Sequence, residues 1–351
     1  MVRLTESLVR SFRMIRLTVS DGRSIHWGLL QKPVVRIRHI ACIFWMIVNF
    51  QAPSFAQVSD SVSILSWNIQ MLPGWVKSNG KMKRAQAISN KLNQASFDIV
   101  VFQELFHRRS RNLIERNLAA QYPYHTDILN RKSIALKTNG GVMIFSRFPI
   151  TQVKEIRYKA RKGYDRMARK GAMLAEIDVN GKSLQIAGTH LQAFGTDEIL
   201  FAQYQQLANE LLAPNHKAGV PQLICGDFNT LKSLPASTSL NVSQNSLTTM
   251  PRYEKMISTL QASDGELDGE QQYTMDRPFN DLCKKRKEFR LLLDYILLRS
   301  NGSTQLQVTR KVTIMRAPWH PEHQDLSDHF GLQGTLTGLW GTESSITGQQ
   351  E

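Results

Sequence analysis

The chain has 351 residues, 42% of them hydrophobic and 21% charged, an ordinary globular composition that excludes a disordered or low-complexity protein. Its net charge of +15 favours an anionic partner, such as a phospholipid surface or a nucleic acid, and is silent on the fold. Three cysteines are too few for a disulfide scaffold or a thiolate metal centre.

The first segment has the order of a secretory leader. Arg36 and Arg38 precede an apolar run from Ile40 to Phe50, and Pro53, Ser54, Phe55 and Ala56 follow. The run is short for a bilayer span of roughly 20 residues, and small Ser54 and Ala56 suit a cleavage site, placed after Ala56. An uncleaved anchor is the competing reading, and a true start near Met14 would account for the long basic region. Loss of residues 1–56 removes eight Lys/Arg and two Asp/Glu, so the net charge falls from +15 to +9. Cys225 and Cys283 then remain, as two isolated thiols or one disulfide.

From Gln57 the pattern is continuous, without linker or repeat, to a polar tail at 341–351. One domain over 57–340 is expected. Ser61 to Trp67 alternates as a strand, and Arg84 to Asn93 carries Ala85, Ile88 and Leu92 at helical spacing. Phe97 to Phe102 reads as a buried strand and Ser110 to Ala120 as a helix. Gly141 to Ser146, Thr151 to Tyr158, Ala172 to Val179 and Ser183 to Thr189 supply further strands, with Asn180 and Gly181 as a two-residue hairpin turn. Thr196 caps a helix whose apolar line is Leu200, Tyr204, Leu207 and Leu211, with Asp197 and Glu198 in its first turn. The last strands are Gln222 to Cys225, Leu291 to Leu298, Leu306 to Ile314 and Phe330 to Leu336. Strands mixed with hairpins and few helices point to an α/β protein, two sheets packed as a sandwich and covered by helices.

Polar residues of chemical interest stand at or just past the ends of these strands. They are Trp67-Asn68, Gln103-Glu104, Thr189-His190, Gly226-Asp227-Phe228-Asn229, Asp294-Tyr295 and Ser327-Asp328-His329. Singly each is weak: Asp227 and Asn229 suit an Asx-turn, and a Glu or His after a strand is most often a satisfied surface residue. The set, in this order, carries the signal. Hard carboxylate and amide oxygens, without thiolates or paired imidazoles nearby in sequence, suit Mg²⁺ better than Zn²⁺. Neither a nucleophile-elbow serine nor a phosphate-binding Walker loop competes, and Gly140-Gly141 opens a strand rather than a helix.

Between Ser66 and Phe330 the set resembles the endonuclease/exonuclease/phosphatase superfamily. Its wording is most similar to the bacterial and neutral sphingomyelinases, in Trp67 to Pro73, in Gly140 to Ser146 before Phe148-Pro149, and in Lys170-Gly171 ahead of Gly188 to Ala193. The resemblance implies a four-layered α/β sandwich of the deoxyribonuclease type, two packed mixed sheets flanked by helices. It implies Glu104 as principal ligand of Mg²⁺ or Mn²⁺, one or two ions, with Asn68 beside it and Asp328 supporting a second ion or the bound phosphate. By the same resemblance His329 is the general base, oriented by Asp294, while Asp227 and Asn229 position water and phosphoryl oxygens and His190 donates to the phosphate or the leaving oxygen. Lys170 and Trp319 are the expected substrate or membrane contacts.

The implied activity is a secreted or periplasmic phosphodiesterase hydrolysing sphingomyelin or a related phospholipid at a membrane surface. A secreted Mg²⁺-dependent endonuclease, with nucleic acid as partner, is the alternative, and a small-phosphoester phosphatase ranks behind it. No protein partner is implied. Lys154 to Lys170 holds eight Lys/Arg against two acids, and Lys284 to Lys287 with Arg290 forms a second run; both suit anionic headgroups or a phosphate backbone, or are solvated loops. The segment from Arg299 to Leu326 offers only Ile314, Met315, Pro318 and Trp319 where secreted sphingomyelinases carry an apolar membrane hairpin.

Overall fold

The computed structural model describes residues 61–339, except 75, 77–79, 132–137, 194, 233–249, 284–288 and 300–304. The expected leader and its cleavage site, the Lys284–Lys287 run and the polar tail lie outside the described residues.

Two mixed sheets form the frame. In the first, β1 (Ser61–Met71) lies between β17 (Gly331–Thr337) and β2 (Ile99–Leu105). β4 (Met143–Ser146) and β3 (Tyr124–His125) continue beyond β2, while β14 (Gln307–Thr313) and β10 (Glu266–Asp268) continue beyond β17. The second sheet runs β5 (Ile150–Arg157), β6 (Gly171–Val179), β7 (Lys182–His190), β8 (Gln222–Asp227), β13 (Asp294–Arg299) and β9 (Ala262–Ser263). Two hairpins stand apart: β11 (Met275–Asp276) with β12 (Arg290–Leu291), and β15 (Arg316–His320) with β16 (His323–Asp325).

Period-2 alternation sorts the central strands into three cores. Val62, Ile64, Ile99, Val101, Ile186, Leu223 and Ile296 pack between the sheets. Their neighbours Leu65, Trp67, Val100 and Phe102 face α1 (Lys81–Asn93) and α2 (Arg108–Leu118). Ala187, Ile224, Tyr295 and Leu297 face α3 (Asp197–Gln206) and α4 (Met250–Leu260). The order is therefore helices, sheet, sheet, helices, the expected four-layered α/β sandwich. Strands covered on both faces read as near-continuous apolar runs, each fully buried aliphatic or aromatic side chain contributing about 1.5–3 kcal/mol against chain entropy.

Local signals account for most of the elements. Asn180 (φ 53°) and Gly181 (φ 86°) form the hairpin turn between β6 and β7, with both residues in the left-handed region that such a turn requires. Thr196 occupies the N-cap of α3 with extended backbone, but its side chain makes no capping bond to the helix, and the helix continues into a π-turn at Leu207–Leu212.

The expected strand Leu291 to Leu298 divides instead into β12 and β13. Leu293 leaves the ladder to accept Phe228 N–H, and Thr274 Oγ1 accepts Leu293 N–H. α4 has no counterpart among the sequence-based elements, although Tyr253, Met256 and Leu260 form its buried stripe. Pro251 stands in its first turn, where a helix needs no proline N–H. Cys225 and Cys283 are both free thiols. Among the described residues no helix is long and apolar enough to cross a membrane.

Candidate active site

Strand direction brings the motif residues to one end of the sandwich. β1 and β2 are parallel, with Asn68 opposite Gln103, so Asn68 and Glu104 share that end. β7 and β8 are parallel and place His190 opposite Asp227. β13 is antiparallel to β8, so its first residue, Asp294, pairs with Asp227, the last of β8. His190, Asp227 and Asp294 thus form a row across the second sheet.

The loop from Leu326 to Phe330 docks onto β1 through bonds that span most of the chain. Trp67 Nε1 donates to His329 O at 2.9 Å, and Ser327 Oγ donates to Asn68 O at 2.6 Å. His329 Nδ1 meets Asp294 Oδ2 at 2.8 Å, while its Nε2 stands 4.0 Å from Asp227 Oδ2. Burial disfavours an imidazolium, but Asp294, then Asp227 and Asp328, outweigh it and hold His329 well above its ordinary pKa. His329, Asp227 and Asp294 offer donor atoms within 4.8 Å of one another. Asp294 engages Nδ1, which leaves Nε2 as the nitrogen nearer Asp227.

His190 is the opposite case. Burial first, then the charges of Lys170 and His329, push its pKa well below the usual value, so the ring is neutral. Lys170 is only 3% exposed, and its ammonium donates to Asp165 Oδ2 at 2.9 Å and Leu191 O at 3.0 Å. The same nitrogen lies 3.0 Å from His190 Nε2. An ammonium only donates, so Nε2 accepts and Nδ1 carries the ring proton. That Nδ1 is buried without a hydrogen-bond partner, while Nε2 also lies 3.5 Å from Asp227 Oδ2.

Glu104 sits at the end of β2 with φ 56°, and Asn68 donates to Asp227 Oδ2 at 3.0 Å while also bonding Glu104. Asn68 Oδ1 accepts Gln70 N–H at 3.2 Å, so in this geometry the Asn68 amide orders two carboxylates. Burial and the nearby Asp328 charge raise Glu104 to about 7, with Lys170, His329 and Asn68 opposing. Burial and Asp294 likewise raise Asp227 to about 6. Phe228 is fully buried between Asp227 and Asn229, and Asp227 Oδ1 accepts Asn229 N–H at 3.0 Å. The Asx-turn is therefore real, and it lies within the site. Asn229 (φ 48°) also donates to Leu191 O at 3.3 Å.

Asp328 accepts from Gln70 Nε2, and Asp294 Oδ1 is buried without a partner. A cluster of four carboxylates, in which Glu104 and Asp227 resist ionisation and Asp294 has an orphaned oxygen, fits a hard divalent cation. Glu104 lies near enough to Asp328 for that charge to raise its pKa.

Several contributors escaped the sequence reading. Arg84, fully buried on α1, donates to Ile69 O, Gln70 O and Leu326 O and so joins the end of β1 to the Ser327–His329 loop. Burial lowers it to about 10, so it remains a cation beside Asp328 and Glu104. Its only signal was an arginine next to Ala85 on the apolar face of a helix. Asp165, which holds Lys170, lay inside a run read as basic.

Lys170, expected as a substrate or membrane contact, is a wall of the site and not a surface cation. It borders a cavity of about 300 Å³ together with Glu104 and His190. The outer wall is apolar: Leu72, Pro73, Val76, Met167 and Tyr164, the last 92% exposed. Trp319, the other expected contact, is half-buried on the β15–β16 hairpin, its indole N–H donating to Asp325 O at 2.9 Å and its ring covering Gly80. Close by in sequence, Met315 is buried and Ile314 is 41% exposed.

The sequence model of the endonuclease/exonuclease/phosphatase family matches residues 65–329. Phospholipase C of Staphylococcus aureus is 24% identical over 78% of this chain and 86% of its own length. Sphingomyelinase C of Bacillus cereus is 24% identical over 82% of this chain and 92% of its own. Among solved structures, a mutant beta toxin from Staphylococcus aureus with bound magnesium ions superposes with a TM-score of 0.67. The two are 23% identical, and the match covers 78% of this chain and 99% of that one.

Proposed function

Because the chain belongs to the endonuclease/exonuclease/phosphatase family and is a phosphoric diester hydrolase, we propose that it hydrolyses sphingomyelin or a related phospholipid to phosphocholine and ceramide or its equivalent. The observation that carries the lipid reading is the cavity: a floor of Glu104, His190 and Lys170 under an apolar rim of Val76, Met167 and Tyr164. A rim of that kind suits acyl or headgroup-proximal lipid surface, whereas a nuclease tracks a phosphate backbone with cations. The names of the relatives point the same way.

In this reading a water lies between His329 Nε2 and Asp227 Oδ2, whose 4.0 Å separation leaves it within reach of both. Its oxygen attacks phosphorus in line with the leaving oxygen, and its proton passes to Nε2 of a neutral His329, the form that a cation held by the surrounding carboxylates would favour by offsetting the charges that raise the ring. Asp294 keeps the ring oriented and stabilises the imidazolium. The bond from phosphorus to the leaving oxygen breaks; His190, neutral and placed by Lys170, lends that oxygen a hydrogen bond at most, and the proton that completes the leaving alcohol comes from solvent while His329 returns its own to solvent. Glu104 and Asp328 would hold Mg²⁺ or Mn²⁺, with Asn68 ordering the carboxylates; when bound, the cation supplies charge that stabilises the phosphoryl oxygens.

Purified protein with Mg²⁺ should release phosphocholine from sphingomyelin vesicles faster than it nicks plasmid DNA. Tyr164→Ala should lower vesicle turnover severalfold and spare a soluble choline phosphodiester. About 0.5 M NaCl, where the Debye length is only a few ångströms, should likewise depress vesicle turnover more than soluble turnover. Efficient DNA cleavage with no phosphocholine from any vesicle would replace the lipid reading with the nuclease one, on the same catalytic residues.

Export belongs to the same proposal. The leader pattern supports removal of residues 1–56, so N-terminal sequencing of protein from medium or periplasm should begin at Gln57. Intact residues 40–56 in a membrane fraction would support the anchor instead.

A further inference from the structure

The β15–β16 hairpin carries a second group of metal-binding side chains, separate from the carboxylate site. His320 and His323 are direct partners across the two-residue turn Pro321-Glu322. Opposed residues of an antiparallel pair have Cβ atoms roughly 4.5–5.5 Å apart, so the backbone alone brings both imidazoles to one place. Their rings stack with centroids 5.1 Å apart, and one donor atom from each of His320, Glu322 and His323 lies within 4.8 Å of the others. His320 and Glu322 are exposed, so an ion would reach them without any opening of the fold.

Each ring is also prepared. His323 Nδ1 faces Asp281 Oδ1 at 3.4 Å, an outer carboxylate of the kind that orders a ligating imidazole and leaves Nε2 toward the ion. His320 Nδ1 accepts Glu322 N–H at 3.2 Å, so that nitrogen is unprotonated and can exchange an exposed amide contact for a metal bond. Polar contacts tie down the base of the hairpin. Arg316 Nε donates to Asp325 Oδ1 at 2.7 Å, and Asp281 accepts Gln324 N–H at 2.7 Å.

The geometry points to a transition-metal site at the tip of this hairpin, in which His320, Glu322 and His323 bind an ion of the Zn²⁺ class. Two imidazoles and one carboxylate are a zinc donor set, with Cu²⁺ tighter still by the usual order of affinities, and they are poor ligands for Mg²⁺. The site would therefore fill independently of the oxygen-rich catalytic centre. It would brace the hairpin against the 280–283 segment, whose Asn280 Nδ2 donates to Ser327 O at 2.8 Å. The inference does not depend on the identity of the substrate.

Zinc titration of the chelator-stripped, full-length protein by calorimetry, in excess Mg²⁺ to occupy the catalytic centre, tests it. Wild type should bind one equivalent that the His320→Gln, His323→Gln double variant does not, and Glu322→Gln should weaken binding at least tenfold. Zn²⁺ should raise the melting temperature of wild type and not of the double variant. A second readout is optical: Trp319 lies 5.5 Å from His320 and 5.7 Å from His323 between ring centroids, so Cu²⁺ should quench wild-type fluorescence strongly and Trp319→Phe fluorescence much less. A wild type that takes up no Zn²⁺ in Mg²⁺, or a double variant that binds it equally well, would overturn the site.

Discussion

Glu104→Gln is expected to leave a folded protein that has lost both its turnover and its response to divalent cations. Without a cation, Glu104 is held near pKa 7 by burial and by Asp328, which means that its negative charge is already resisted there. A neutral amide is better tolerated under those conditions, so stability without cation should be unchanged or slightly higher. What disappears is the anionic ligand that a hard cation needs. Loss of a metal-centred stabilisation worth several kcal/mol lowers turnover by roughly 10³-fold or more. The rise in melting temperature expected of wild type with Mg²⁺ or Mn²⁺ should vanish with it. Thermal unfolding with and without cation, beside initial rates, provides the check. Wild-type enzyme that keeps its full rate after exhaustive chelation and dialysis would remove the metal from the mechanism.

His329→Ala is expected to separate chemistry from cation binding. Turnover should fall about 10² to 10⁴-fold, the usual worth of a positioned base, while the cation-induced stabilisation persists because Glu104 and Asp328 are untouched. Asp294→Asn should act in the same direction. It removes the carboxylate that grips His329 Nδ1 at 2.8 Å, so the ring loses both its fixed orientation and the partner of its imidazolium. His190→Ala should also be severely impaired, since it deletes the ring that Lys170 and Asp227 hold at the floor of the cavity. The decisive comparison is Glu104→Gln against His329→Ala in the two assays. If His329→Ala kept more than a tenth of wild-type turnover with wild-type circular dichroism, or lost the cation response, the base would have to be sought elsewhere.

Asn68, Glu104, His190, Asp227, Asp294, Asp328 and His329 were legible because each ends or borders a short apolar run, and strand ends are where a sandwich of sheets exposes its functional groups. The tuning of these groups by their partners was not. Arg84 looked like the start of a helix, and Lys170 was expected as a substrate or membrane contact rather than as a partner of His190. Nothing local marks one arginine as buried against the carbonyls of Ile69, Gln70 and Leu326, or one lysine as the donor that sets a histidine tautomer. Trp319, expected beside Pro318 as an interfacial contact, is half-buried with its indole over Gly80 just before α1, a packing that its local sequence does not mark.

By itself the sequence determined which side chains of β1, β2, β7, β8 and β13 share a face, because a period of two is a property of a single strand. It also determined the β6–β7 turn, through the left-handed preference of Asn180 and Gly181, and the order of the motif residues. Which strand lies beside which, and in what direction, was decided only by the tertiary structure. Parallel β7–β8 and antiparallel β8–β13 put His190, Asp227 and Asp294 in one row, and Trp67 reaches His329 across 262 positions of chain. Pairing of this kind depends on how two whole sheets bury a common core, a free energy summed over many residues. No window of neighbouring amino acids contains it.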